Sequence, residues 1–224
     1  MTVAFCPQSP LLLPVVAGAP SYALSVLRAA VSTAVQTVLE PRPEVVVVVG
    51  EGADGLRFGP GDAGDLRGFG IDLEVPFAGR VRPGGHRVPL PHLVAAWLLD
   101  RAGHTGGRLG VGPADLAAAL ADLPGPVGVL AMGDGSARRT EKAPGAFDAA
   151  AGPFDAAVSA ALRTGDTAAL ADLDPVAARR LLAAGTPVWR AVGAALGGRV
   201  VTADLHHDDA PFGVGYPVAT WQAR

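Results

Sequence analysis

Five consecutive valines, Val45 to Val49, stand between Glu44 and Gly50. A β-branched run with no polar alternation is stable only as a strand covered on both faces, the position of a central strand in a parallel sheet flanked by helices. The neighbouring segments supply the other parts of such a fold. Val3 to Cys6, stopped by Pro7, reads as a first buried strand, and Val127 to Met132, after Pro124-Gly125-Pro126, as another. Between the first two strands, Ser21 opens a helix running to about Leu39. Its Leu27, Ala30, Ala34, Val35 and Val38 keep helical spacing, and Pro41 and Pro43 end it.

Further along, Glu51 to Gly70 is rich in Gly and Asp and reads as a long loop with a candidate edge strand; loops of that length in a compact domain tend to carry function. Ile71 to Phe77 alternates weakly as a strand, Pro83-Gly84-Gly85 forms a turn, and Pro91 to Arg101 and Pro113 to Asp122 read as helices. Three more helical patterns follow, at Pro153 to Arg163, Thr167 to Ala184 with a break near Asp174-Pro175, and Pro187 to Leu196. Two strands, Arg199 to Leu205 and Val214 to Trp221, close the chain around a connection from His206 to Gly213. With no internal repeat and no linker-like shift in composition, residues 1–224 read as a single α/β domain with a mostly parallel central sheet flanked by helices.

Composition removes several classes of function. Half of the 224 residues are hydrophobic, 17% are charged and the net charge is −3, which excludes a disordered chain. No basic run is longer than Arg138-Arg139 or Arg179-Arg180, too little clustered charge for a nucleic-acid groove. The start lacks a cationic signal-peptide region and no apolar run reaches membrane-span length, so no membrane partner is expected. The single cysteine, Cys6, cannot close an intramolecular disulfide, and a reducing cytoplasm is the expected compartment. A homo-oligomer is compatible with all of this.

In open α/β sheets, ligands bind beyond the carboxyl ends of the strands. That rule gathers Pro7-Gln8-Ser9, Glu51 to Asp54, Asp134 to Lys142 and His206 to Asp209. Were these four loops to converge, the pocket would offer Glu51, Asp134 and Asp208 as acid-base candidates and Gln8, Ser136, Arg138, Arg139 and His206 as binding groups. In the Gly133 to Lys142 loop, Gly133 and Gly135 permit close backbone approach, and the arginines can hold a carboxylate or phosphate through charge-assisted bonds. The competing reading is a solvated turn with internal ion pairs. His206-His207-Asp208-Asp209 has metal-ligating chemistry, but adjacent strand residues point to opposite faces, and a packed or exposed pair without metal is the plainer reading. Cys6 reads as an inert buried thiol, and Glu51 as either a general base or a solvated acid.

Cys6-Pro7-Gln8-Ser9-Pro10-Leu11-Leu12-Leu13-Pro14, the valine strand ending in Gly50, Gly133-Asp134-Gly135-Ser136 and Gly213-Val214-Gly215-Tyr216 together resemble the class III extradiol ring-cleavage dioxygenase superfamily, which includes the catalytic subunit of protocatechuate 4,5-dioxygenase and Memo-like proteins. The resemblance is spread over most of the chain and is strongest to an actinobacterial branch. It implies non-haem iron, or sometimes zinc, held by histidines and a carboxylate. At the positions where the resemblance places those histidines, this chain carries Gln8, Gly50-Glu51-Gly52 and Ala137-Arg138-Arg139. Gln is a poor iron ligand, and a guanidinium repels a dication and favours an anion. The expectation is therefore a dioxygenase-like scaffold with a degenerate metal site and no metal cofactor, holding an anionic or aromatic small molecule. Two alternatives stand beside it: an active oxidoreductase whose rebuilt Fe(II) or Zn(II) centre uses Glu51, Asp134 and His206 or Asp208, and a Memo-like protein-interaction module.

Overall fold

The computed structural model describes residues 1–18 and 21–224. The chain opens with strand β1 (Thr2–Cys6), a short helix α1 (Pro14–Ala17) and helix α2 (Tyr22–Leu39). Ser21 caps α2, its side chain accepting the Leu24 backbone N–H at 3.2 Å. The valines form β2 (Val45–Val49), followed by the short strands β3 (Arg57–Phe58), β4 (Ala63–Asp65) and β5 (Glu74–Pro76). Helix α3 (Leu90–Arg101), strand β6 (Gly107–Val111), helix α4 (Leu116–Ala121) and strand β7 (Val127–Met132) come next. Four helices follow, α5 (Ala151–Thr164), α6 (Thr167–Ala171), α7 (Pro175–Leu181) and α8 (Thr186–Ala195), before the closing strands β8 (Val201–His207) and β9 (Val218–Ala223).

The main sheet has the order β3-β6-β2-β7-β1-β9-β8, and β4 and β5 form a separate two-stranded sheet. Strands β6, β2, β7 and β1 are mutually parallel, β9 runs antiparallel to β1, and β8 antiparallel to β9. The centre is thus parallel and the edges mixed. Because β8 returns to the direction of β1, the carboxyl ends of β6, β2, β7, β1 and β8 all lie along one edge.

Side-chain alternation divides the core into two layers. Val46, Val48, Ala4, Cys6 and Leu130 face one layer with α2 and α3, while Val47, Val49, Val3, Phe5 and Val129 face the other with α5 and α8. The valine run is buried on both faces, as its composition requires. Helix α2 has the length and mean hydropathy, 1.3, of a membrane-crossing segment. Its apolar face, including Leu27, Val31, Val35 and Val38, is packed within the first layer.

Three expectations change. Strand β6 occupies residues to which the sequence reading gave no element, because its Gly107-Arg108-Leu109-Gly110-Val111 sequence carries little apolar signal. The segment Pro113 to Asp122 begins as a tight 3₁₀ turn at Pro113–Asp115, and only Leu116–Ala121 is α-helical. Strand β8 continues through His207, with an irregularity between Leu205 and His207, so both histidines belong to the strand and not to the connection.

Candidate functional site

At the carboxyl edge, three of the four expected loops meet. Gly133 N–H donates to Cys6 O at 2.9 Å, and Gln8 N–H donates to the Asp134 carboxylate at 2.9 Å, which joins the segments after β7 and β1. Gly135 N–H donates to Gly215 O at 2.7 Å, Gly215 N–H returns a bond to Ser136 O at 3.0 Å, and Arg139 N–H reaches Gly213 O at 3.0 Å. These bonds join the β7 loop to the connection between β8 and β9. The fourth loop, carrying Glu51, makes no hydrogen bond to these three among the described residues and lines a cavity.

Asp155, on the inner side of α5, organises the junction. Its carboxylate accepts the Ser136 backbone N–H at 2.9 Å and pairs with the Arg139 guanidinium at 2.9 Å. A Cβ at Gly135 would lie 2.9 Å from this carboxylate, and one at Gly215 only 2.3 Å away, so a side chain at either position would displace the carboxylate. Burial pushes the Asp155 pKa up, the bonds from Ser136 and Arg139 oppose it, and Asp208 adds to the rise. Sequence reasoning placed Asp155 in a helix without assigning it a role. The available signal was a carboxylate within the apolar pattern of that helix, where it has to be paired.

The remaining predicted residues take these positions. Asp134 is strongly desolvated: burial pushes its pKa up to about 7 against the backbone N–H groups of Gln8 and Ser9, which pull it down. It can therefore exchange a proton near neutrality. Gln8 places its side-chain oxygen in a buried position without a partner among the described residues. Ser136 is buried and donates to Leu181 O at 2.7 Å, while accepting Arg138 N–H at 3.1 Å; it braces the loop. Arg138 has its Nε buried and unpartnered among the described residues, and Arg139 is engaged by Asp155. His206 Nε2 lies 2.9 Å from Thr220 Oγ1, and the neighbouring His207 Nδ1 lies 2.8 Å from Tyr216 O. Asp208 accepts the Ser159 hydroxyl at 2.8 Å and lies 3.8 Å from Arg163.

The residues named for a rebuilt metal centre are distributed along this edge of the sheet. Glu51 follows β2 and Asp208 follows β8, with β7, β1 and β9 between them. Four steps of strand spacing separate β2 from β8 by on the order of 19 Å across the sheet. Among the described residues, no three of His, Cys, Asp and Glu come together as a ligand set.

Glu51 instead lines a cavity of about 580 Å³ with Ala178 and Arg179 of α7, Leu182, and Thr186 and Arg190 of α8. This size is typical of a small-molecule site. Burial raises the Glu51 pKa, and Asp54 pushes it in the same direction. Arg190 donates through Nε to Ala171 O at 3.1 Å. Neither Arg179 nor Arg190 forms an ion pair among the described residues, whereas the adjacent Arg180 pairs with Asp148. Thr186 is 1% exposed and its hydroxyl has no partner among the described residues. Leu182 adopts φ +56°, a left-handed conformation uncommon for a branched side chain, at the cavity wall. A larger hollow of about 920 Å³ lies at the opposite edge, beside Pro43 and Gly106, away from the carboxyl ends of the strands. Sequence reasoning noted Arg179-Arg180 as one of two basic pairs but did not connect it with Glu51. The convergence depends on where α7 and α8 pack, which helical spacing does not specify.

No family model matches the chain, and no curated protein matches it in sequence.

Proposed function

We propose that this chain is a class III extradiol dioxygenase-like protein with a degenerate metal site, and that it binds an anionic small molecule without the iron chemistry of that superfamily. The observation that carries the binding reading is the cavity beside Glu51, where Arg179 and Arg190 lack ionic partners among the described residues and Thr186 has an unsatisfied hydroxyl. Such groups recognise carboxylate or phosphate by charge-assisted bonds. The cavity lies at the carboxyl edge of a central parallel strand, where α/β sheets place ligands. Arg138 and Arg139 have a smaller part in this reading than their sequence suggested, since Arg139 is engaged by Asp155.

Gln8 and Glu51 supply support for the degenerate metal site, since they stand where the resemblance expects metal-binding histidines. A buried Cys6, its thiol pushed up to about 12 by burial, fits a protein of the reducing cytoplasm that does not use thiol chemistry.

Calorimetric titration of the purified protein with benzoate and inorganic phosphate tests the reading. At least one anion should bind, and Arg190→Met should weaken it by about tenfold, the effect of losing one charge-assisted bond. Unchanged affinity in an Arg179→Met/Arg190→Met double variant overturns the anion site. Stoichiometric Fe(II) or Zn(II) binding that is lost on Gln8→Ala or Glu51→Ala overturns the degenerate metal site.

A further inference from the structure

The cavity beside Glu51 holds fixed charges of both signs that do not neutralise one another. Glu51 lies on one wall at the end of β2, and Arg179 and Arg190 lie on α7 and α8. No ion pair joins Glu51 to either arginine. The raised Glu51 pKa is consistent with this separation, because a nearby guanidinium would lower it, whereas its causes are burial and the neighbouring Asp54. Opposite charges on one small cavity that serve only to hold the fold together would be expected to pair. Held apart, they form two complementary ends of a recognition site.

Much of the remaining lining is apolar. Ala178, Leu182 and Pro187 contribute hydrocarbon surface, and Leu182 is 46% exposed. Thr186 and Pro187 begin α8, a ten-residue helix whose positive end lies on the same side as Arg190. The unpartnered Thr186 hydroxyl, in a side chain 1% exposed, adds a hydrogen-bonding group to this end.

We propose that the cavity takes a small zwitterion with an apolar body, its carboxylate held by Arg179, Arg190 and Thr186 and its ammonium group by Glu51. The proposal rests on the reading of this cavity as an anion site and adds the cationic end and the apolar middle. An amino acid with an apolar side chain has this chemistry, and the cavity volume leaves room for its body.

Three probes sharing one ring separate the contributions: L-phenylalanine, 3-phenylpropionate, which lacks the amine, and 2-phenylethylamine, which lacks the carboxylate. Calorimetry should show phenylalanine binding about tenfold more tightly than phenylpropionate, with phenylethylamine weakest. Glu51→Gln should bring phenylalanine down to the affinity of phenylpropionate and leave phenylpropionate unchanged. Thr186→Val should weaken both carboxylates, with circular dichroism confirming that each variant is folded. Equal binding of phenylalanine and phenylpropionate, both insensitive to Glu51→Gln, overturns the zwitterion while leaving the anion site standing. Failure of all three probes to bind overturns the zwitterion, and carboxylate binding indifferent to the double arginine variant overturns both.

Discussion

Asp134 and His92 titrate in opposite senses, and their combination sets how stability responds to acid. Burial raises the Asp134 pKa from 3.8 to about 7, so between about pH 4 and 7 the folded state retains a proton that the unfolded chain has released. Through this group, stability falls as pH rises across that window. His92 is fully buried, with Nε2 3.0 Å from Val111 O, and burial lowers its pKa from 6.5 to about 4. Here the unfolded chain binds the proton first, so stability falls as pH drops from about 6.5 to 4. Urea denaturation over pH 4 to 7 should therefore show Asp134→Asn losing the decline toward neutral pH, which exposes the His92 decline toward acid. Identical pH profiles for variant and wild type would refute the Asp134 assignment. Thr186 gives a second expectation at this scale. Replacing an unsatisfied buried hydroxyl by a methyl removes a desolvation cost, so Thr186→Val should match or exceed wild-type stability by up to about 1 kcal/mol in the absence of ligand. A loss above about 1 kcal/mol in chemical denaturation would show that the hydroxyl is already satisfied in the folded protein.

Strand β6 shows why an element can be secure in the fold and faint in the sequence. It pairs along its length with β2, yet contains Gly107, Arg108 and Gly110. A Cβ on Gly110 would lie 2.9 Å from His92 and 3.0 Å from both Phe58 and Phe77, so an aromatic cluster excludes the side chain that strand propensity would favour. Arg108 is nearly buried, its guanidinium donating to Phe77 O at 3.0 Å and His104 O at 2.8 Å and pairing with Asp100 at 2.6 Å. Gly110→Val, which improves intrinsic strand preference, should destabilise the protein by about 2 kcal/mol through overpacking; an increase in the urea midpoint would refute this. The valines of β2 were legible because both of their faces meet apolar layers, and α2 was legible because its Ser21 cap and apolar face are local. The irregularity that extends β8 over His206 and His207 depends on pairing with β9 and had no local signature. For the candidate site, Glu51 and Asp134 were readable from strand ends. Asp155, Arg179, Thr186 and Arg190 were not, because helix packing brings them to the edge. Gly215→Ala should test the junction those helices support: its Cβ would lie 2.3 Å from the Asp155 carboxylate, and breaking a buried charged contact costs about 3 kcal/mol.

At the scale of the molecule, the site depends on closure of the sheet by the last strand. Strand β9 pairs with β1, and Met1 and Ala223 exchange backbone bonds of 3.0 and 2.9 Å. The connection leading into β9 carries Gly213 and Gly215, which hold the β7 loop, so the strand that completes the core also fixes the carboxyl edge. Trp221 anchors that strand: it is fully buried, its indole N–H donates to Leu162 O at 2.8 Å, and its ring meets Phe5 edge-on at 4.9 Å. Trp97 packs against the opposite layer, beside α2. If both layers share one cooperative unit, fluorescence from either side must report the same transition. Urea unfolding followed through Trp97 in a Trp189→Phe/Trp221→Phe variant should coincide with far-ultraviolet circular dichroism of that variant, and the same should hold for Trp221 in Trp97→Phe/Trp189→Phe. Separate midpoints for fluorescence and dichroism in either variant would divide the layers into independent units. Coincidence would mean that a ligand held at the carboxyl edge stabilises both layers together, because binding to the folded state alone shifts the single equilibrium they share.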